Sequence, residues 1–185
     1  PTQQRAQATY ERLLDAAGHL LAEVGVERIS TNLVAARAGV SPPTLYHYFA
    51  DKYALLAALG ERLMDAQNAL VALEPDQDEA AIARTLLDHL VLTRASPGGP
   101  WIMRMLRAVP QLAEVRLESH RKLATSLAER ALRIDPALDP GILQARARLA
   151  VDLGYAAIEL AFDEPGLDPD ALMRDAARAI TAVLA

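Results

Sequence analysis

A chain of 185 residues is long enough for one large domain or for a small and a larger module, and either arrangement buries a substantial core. With 52% apolar residues, 23% charged residues and no cysteine, the composition excludes low-complexity disorder, disulfide frameworks, thiolate zinc sites and cysteine nucleophiles. The formal net charge of −5 excludes a protein that coats nucleic acid non-specifically, and the lack of any long uncharged apolar run leads us to expect a folded cytoplasmic protein with no membrane partner.

The elements read as helices throughout, so the expected class is all-α. From Thr9 to Val24, Leu13, Ala17, Leu20 and Val24 trace an apolar face opposite Arg12, Asp15, His19 and Glu23, with Gly25 as the stop. His19 falls on the solvated side. Ser30 and Thr31 offer caps for a short helix, Asn32 to Ala38, that ends at Gly39. Ser41 caps a second short helix to about Tyr48, with Pro42 where a missing N–H costs nothing and Pro43 still in the first turn. This pair, joined by Ala38, Gly39 and Val40, has the dimensions of a helix-turn-helix. A longer helix is expected from Asp51 through Leu73, on the steps Leu56, Leu59, Leu63, Ala66, Leu70 and Leu73, broken by Glu74 to Asp78. Further helices are expected around Ile82 to Val91, from Trp101 to Val109, over Leu112 to Ile134, from Ile142 to Phe162 and from about 171 to 184. The stretch Ile142 to Phe162 is apolar around most of its circumference, and such a helix needs more than one neighbour.

The stretch Thr31 to Leu59 carries the chemistry. Val34, Ala35, Ala38, Val40, Leu45 and Phe49 can pack the short helices on the first one, leaving Thr44, Tyr46, His47 and Tyr48 outward with Pro42 and Pro43 at the tip. Four of the chain's aromatics, Tyr46, Tyr48, Phe49 and Tyr53, lie here although aromatics make up only 4% of the whole. Tyr53, one residue inside the long helix, is expected to pack. Outward hydroxyls, an imidazole and an ammonium group suit base edges and phosphate oxygens of a major groove, and helix N-termini add backbone donors. Basic and acidic residues balance over 1–53 (Arg5, Arg12, Arg28, Arg37 and Lys52 against Glu11, Asp15, Glu23, Glu27 and Asp51), so affinity must come from placement rather than bulk charge.

On the AGVS turn (Ala38 to Ser41), the TLY run (Thr44 to Tyr46), Phe49, and Lys52 followed by Leu55 and Leu56, the region Leu13 to Leu59 resembles the DNA-binding region of the Tet repressor (TetR) family of bacterial transcriptional regulators. The resemblance implies a three-helix helix-turn-helix DNA-binding domain, 1–53, followed by a helical effector-binding and dimerisation domain, 54–185. It places Thr31 and Asn32 at the start of the supporting helix, where phosphate and some base contacts are made. Ser41, Pro42, Pro43, Thr44 and His47 fall at groove positions, and Tyr46, Tyr48 and Lys52 at phosphate positions. Pro42 has no side-chain donor and His47 is titratable, so base preference does not carry over from relatives.

Beyond the third helix the resemblance implies a homodimer and a small-molecule effector, without naming either surface. Candidate pocket residues are Leu63, His89, Leu90, Trp101, Met105, His120, Leu123, Tyr155 and Phe162. The histidines among them are also compatible with satisfied core positions. Candidate interface residues are Leu149, Leu153, Gly154, Leu172, Ala176, Ile180 and Val183, with Gly154 permitting close helix approach. No HExxH, GxSxG or phosphate-cradling glycine loop is present, so neither an enzyme nor a metal or cofactor protein is expected. The expected function is an effector-released repressor on a palindromic operator. Its competitors are a constitutive or architectural DNA-binding dimer and, more remotely, a helical small-molecule binder with a vestigial reading head.

Overall fold

The computed structural model describes residues 2–71 and 78–185. The fold is all-α: among the described residues there are nine α-helices and no strand. They are α1 Thr2–Arg28, α2 Thr31–Ala38, α3 Pro42–Tyr48, α4 Lys52–Asn68, α5 Glu79–Ala95, α6 Gly99–Ala108, α7 Ala113–Ile134, α8 Pro140–Asp163 and α9 Pro169–Leu184, with a short 3-10 turn at Pro110–Leu112. None of the helices is long and apolar enough to cross a membrane.

Two compact units emerge, Pro1–Met64 with Arg94–Arg116, and Asp65–Thr93 with Leu117–Ala185. The first unit takes in most of α4 and all of α6. The reason lies in α4 and α6: Leu55, Leu56, Leu59 and Leu63 of α4 and Ile102, Met103, Met105 and Leu106 of α6 are all buried in the first unit, together with Leu13, Ala17 and Leu20 of α1. Two glycines permit this packing. A Cβ on Gly18 would lie 2.2 Å from the Pro97 carbonyl oxygen, and one on Gly98 would lie 2.2 Å from the Gly18 carbonyl oxygen, so α1 and the turn before α6 meet backbone to backbone. Gly98 also holds a positive φ of 70° and is the N-cap of α6. In the second unit α8 packs along α9, with Leu143, Ala147, Val151, Ile158, Met173 and Ala177 in its core.

Several elements depart from expectation. The first helix extends to Arg28, but Gly25 interrupts it with non-helical φ 77° and ψ 169°. Helix α4 starts at Lys52, with Asp51 accepting from Ala54 N–H at 2.8 Å, and stops at Asn68 rather than reaching Leu73. Tight turn bonds from Leu70 N–H to Gln67 O and from Val71 N–H to Asn68 O follow it, each 3.1 Å. The expected positions Leu73 and Glu74 to Gln77 lie outside the described residues. The buried row of α4 runs Leu59, Leu63, Gln67, while Ala66 faces out. Helix α5 begins earlier than expected because Asp78 accepts from Ala81 N–H at 2.7 Å. Helix α6 includes Gly99 and Pro100, since proline costs nothing in the first turn.

Candidate nucleic-acid interface and ligand cavity

The helix-turn-helix is built by short-range backbone chemistry. Ser30 caps α2, its hydroxyl accepting from Leu33 N–H at 3.2 Å. Gly39 closes that helix in the left-handed region at φ 66°, where residues other than glycine are strained. Ser41 then caps α3, its hydroxyl 3.3 Å from Thr44 N and 2.8 Å from Thr44 Oγ1, and Pro42 and Pro43 fill the first turn. Val34 and Ala35 of α2, Leu45 of α3 and Phe49 are buried, while Ala38 and Val40 are half-buried.

The side chains expected to meet DNA lie on α2 and α3, at the cap between them and at the first residue of α4. Asn32, Ser41, Pro42, Pro43, Tyr46 and His47 are exposed, and Thr31, Thr44, Tyr48 and Lys52 are half-buried. Several are held in place by the protein. The Tyr46 and Thr31 hydroxyls share a hydrogen bond of 3.0 Å across the α2–α3 pair. Tyr48 donates to the Ala6 carbonyl at 3.3 Å, and its ring lies near Tyr10 and Phe49, with centroids 6.1 and 6.3 Å away. Lys52 Nζ donates to the Val26 carbonyl at 2.7 Å, an ammonium set against the carbonyl end of α1. The Arg37 guanidinium grips Glu23 through two bonds of 2.9 and 2.6 Å, and this hydrogen bonding holds the Glu23 carboxyl below the usual range. Tyr53, expected to pack, is instead 42% exposed, because the buried face of α4 starts at Leu55 and Leu56.

A cavity of about 360 Å³ lies within the second unit. Leu86, Val151, Ile158 and Ile180 supply apolar wall, and His89, Thr85, Tyr155 and Thr181 supply the polar groups. The Nδ1 of His89 lies 2.8 Å from the Thr85 carbonyl, and burial, outweighing that bond, pushes its pKa down. The Tyr155 hydroxyl, raised in pKa by burial, donates to Asn68 Oδ1 at 3.3 Å and Gln67 Oε1 at 3.4 Å. Gln67 in turn donates to Thr93 Oγ1 at 2.7 Å, and that hydroxyl donates to the His89 carbonyl at 2.7 Å. The ring of His120 stacks on Tyr155 at 4.2 Å, and His120 Nδ1 lies 2.7 Å from Asp152 Oδ1. Burial alone would raise the Asp152 carboxyl, but hydrogen bonds from Arg148 and His120 prevail and keep it low.

Of the expected pocket residues, His89, Leu123 and Tyr155 line this cavity. Leu63 and Met105 instead belong to the core of the first unit. Trp101 also lies in that unit, 45% exposed, with the Arg104 guanidinium 5.3 Å from its ring. The buried face of α6 runs through 102, 103, 105 and 106, which turns 101 outward. Leu90 and His120 are buried and Phe162 half-buried, all away from the wall. Among the expected interface residues, Leu149 is exposed and Leu153, Leu172, Ala176 and Val183 are half-buried. Gly154 and Ile180 instead face inward and line the cavity. A Cβ on Gly154 would sit 3.1 Å from Leu86 Cδ2, so the close approach this glycine permits is internal. Gln67, Thr85 and Thr181 went unnoticed as site residues. Only Gln67 carried a signal, a polar residue four places after Leu63 in a buried row.

Residues 13–59 match the family model of bacterial regulatory proteins, tetR family. The chain is similar to HTH-type transcriptional regulator UidR of Escherichia coli (strain K12), 27% identical over 167 residues that cover 84% of this chain and 83% of the relative. Among solved structures it is similar to Salmonella enterica GusR, with a TM-score of 0.73 and 20% identity over 96% of this chain and 95% of that one. It is also similar to the complex of Stenotrophomonas maltophilia SmeT with triclosan, with a TM-score of 0.66 and 24% identity over 96% and 90% of the two chains. At these identities the structural likeness is one of fold. The capped α2–α3 pair and the match over it define a DNA-binding transcriptional regulator of the helix-turn-helix class, whose work is regulation rather than catalysis. Residues 13–59 thus carry the DNA-binding region of the tetR family of bacterial regulatory proteins, and the similarity to UidR extends over most of the chain.

Proposed function

We propose that the protein is a cytoplasmic repressor that binds a palindromic operator as a homodimer and leaves it when a small, largely apolar effector occupies the cavity. The observation that carries this reading is the pairing, in one chain, of an exposed α3 tip with a cavity of about 360 Å³ in the unit built by α5, α7, α8 and α9. In it, α3 enters the major groove, Thr44 and His47 meet base edges, and Tyr46, Tyr48 and Lys52 take phosphates. The SmeT complex with triclosan supports the reading, as a small molecule held by a protein of this fold.

The dimer face proposed is the outward stripe of α8, Ile142, Leu149, Leu153, Ala156 and Leu160, together with Leu172, Ala176, Ala179 and Val183 of α9. Three of these, Ile142, Leu149 and Leu160, are large apolar side chains left 56%, 51% and 41% exposed. A two-fold, isologous four-helix contact covers such stripes and matches a palindrome. Leu153→Glu is expected to give monomers in light scattering that bind DNA poorly, and a monomeric unmodified protein at micromolar concentration counts against the proposal.

Helix α4 offers the route from ligand to DNA. Its first residue, Lys52, is bonded to the Val26 carbonyl, and its last, Asn68, is bonded to Tyr155 on the cavity wall. A ligand that moves Tyr155 pulls on the helix that carries Lys52. Two heads must stand about 34–36 Å apart to reach successive grooves, and a coupling of about 1–3 kcal/mol suffices for a 5- to 150-fold loss of operator affinity. The deciding experiment selects genomic fragments on the purified protein, then titrates small apolar molecules against the protein–operator complex. A shared palindrome and ligand-dependent release are expected. Ligands that bind without release return the protein to a constitutive DNA-binding role.

A further inference from the structure

One polar group on the cavity wall has its hydrogen-bonding role set by the fold. His89 is 3% exposed, and its Nδ1 lies 2.8 Å from the Thr85 carbonyl oxygen. A carbonyl only accepts, so Nδ1 carries the ring proton, and in the neutral ring Nε2 is then a pure acceptor. Burial pushes the pKa of the ring down from its ordinary 6.5, so neutral solution leaves it uncharged. The nitrogen on the opposite edge from Thr85 is therefore an acceptor that an occupant can use. Thr181 lines the same wall, but its Oγ1 is itself closed off from the cavity.

The other polar groups of the wall are committed. Thr85 Oγ1 donates to the Ala81 carbonyl at 3.1 Å, and the Tyr155 hydroxyl is given to Asn68 and Gln67. No Lys, Arg, Asp or Glu side chain stands among the described lining residues. A carboxylate or ammonium group brought inside would be desolvated without a counter-charge, at a cost that exceeds what apolar contact returns. A molecule with no polar hydrogen would bury the Nε2 lone pair unpaired, which is also unfavourable.

We infer that the cavity takes an uncharged, mainly apolar molecule that carries a hydroxyl group, a phenol or an alcohol, whose O–H donates to His89 Nε2. This rests on the reading of the cavity as the effector site and adds the chemistry of the ligand.

The test is calorimetric titration of the full chain with para-pentylphenol, its methyl ether para-pentylanisole and para-pentylbenzoate. The phenol is expected to bind about tenfold more tightly than the ether, since only the phenol satisfies Nε2, and the benzoate is expected to be the weakest. His89→Leu is expected to erase the preference of phenol over ether, the phenol losing its acceptor and the ether no longer burying an unpaired lone pair. Equal binding of phenol and ether, a benzoate that binds most tightly, binding of none of the three, or a preference that survives His89→Leu overturns the inference. Should His89→Leu fail to fold, the three-ligand comparison on the unmodified protein decides by itself. Adding the phenol to the operator complex separates the two readings: binding without release upholds the ligand chemistry and removes the effector role.

Discussion

The DNA-reading head and the cavity are organised in opposite ways. In the head the contacts that shape α2, the turn and α3 span about three residues, Ser30 to Leu33, Ser41 to Thr44, and the left-handed Gly39 between them, and longer-range bonds only steady Tyr46, Tyr48 and Lys52 on that frame. Its working side chains point outward and need only be positioned. In the cavity the decisive contacts join distant segments, Tyr155 to Gln67 and Asn68, and His120 to Asp152. Its polar groups are buried: Tyr155, Gln67 and His120 find partners on other helices, while His89 and Thr85 bond within α5. A surface reader can thus be specified by a short run of residues, whereas an interior site exists only after several helices have met.

Four experiments test this contrast. The largest effect is expected from Leu45→Ala, which empties the buried anchor of α3 and costs about 2–5 kcal/mol. Operator binding is lost, while calorimetry finds the affinity of para-pentylphenol unchanged; loss of both would show that head and cavity are not organised separately. Next, Gly39→Ala meets no neighbour within 4 Å yet is forced to adopt φ 66°. Backbone strain alone is then expected to cost about 1–2 kcal/mol, a fall in Tm of about 2–8 °C.

The third test is acid sensitivity of the cavity. In the unfolded chain the His89 imidazole takes up a proton near its ordinary 6.5, while burial holds the folded value lower. The unfolded state therefore binds more protons between those two values. The stability contribution is complete above the unfolded value and is lost as pH falls towards the folded one, with a slope of up to about 1.4 kcal/mol per pH unit. Denaturant unfolding between pH 7 and 5 reads this, and His89→Gln is expected to flatten the profile. The smallest effect is that of Lys52→Ala: weaker binding to every DNA sequence alike, with the salt dependence reduced by about one unit. A sequence-selective change there would mean that Lys52 reads bases.

The same contrast governs what could be read in advance. Every α-helix among the described residues was legible, though not the 3-10 turn at Pro110–Leu112, and Ser30, Gly39, Ser41 and Pro42 located α2 and α3 because capping and turn chemistry are local. The cavity was legible only in fragments. His89 and Tyr155 could be named as polar residues in apolar surroundings, but nothing in one strand of sequence says that Thr181 of α9 faces the same space. Trp101 misled because a lone tryptophan after a Pro-Gly turn suggests a pocket, whereas its neighbours 102, 103, 105 and 106 claim the inward side of α6. Gly154 and Ile180 misled for a related reason: α8 is apolar on nearly all sides, and periodicity cannot tell a face turned to a cavity from one turned to a partner.

The mutual approach of Gly18 and Gly98 has a consequence for how this protein can vary. In each case the obstructing atom is a main-chain carbonyl oxygen, which cannot swing aside as a side chain does. Neither position can therefore be rescued by trimming a side chain, since the clash is with main-chain atoms, of Pro97 in one case and of Gly18 in the other. In an exhaustive library of single substitutions selected for operator binding, the two columns are expected to stand as empty except for glycine beside a permissive His19. Compensation would have to come from a change in the length of the 96–99 turn, so that indels rather than substitutions are the route by which this junction can drift.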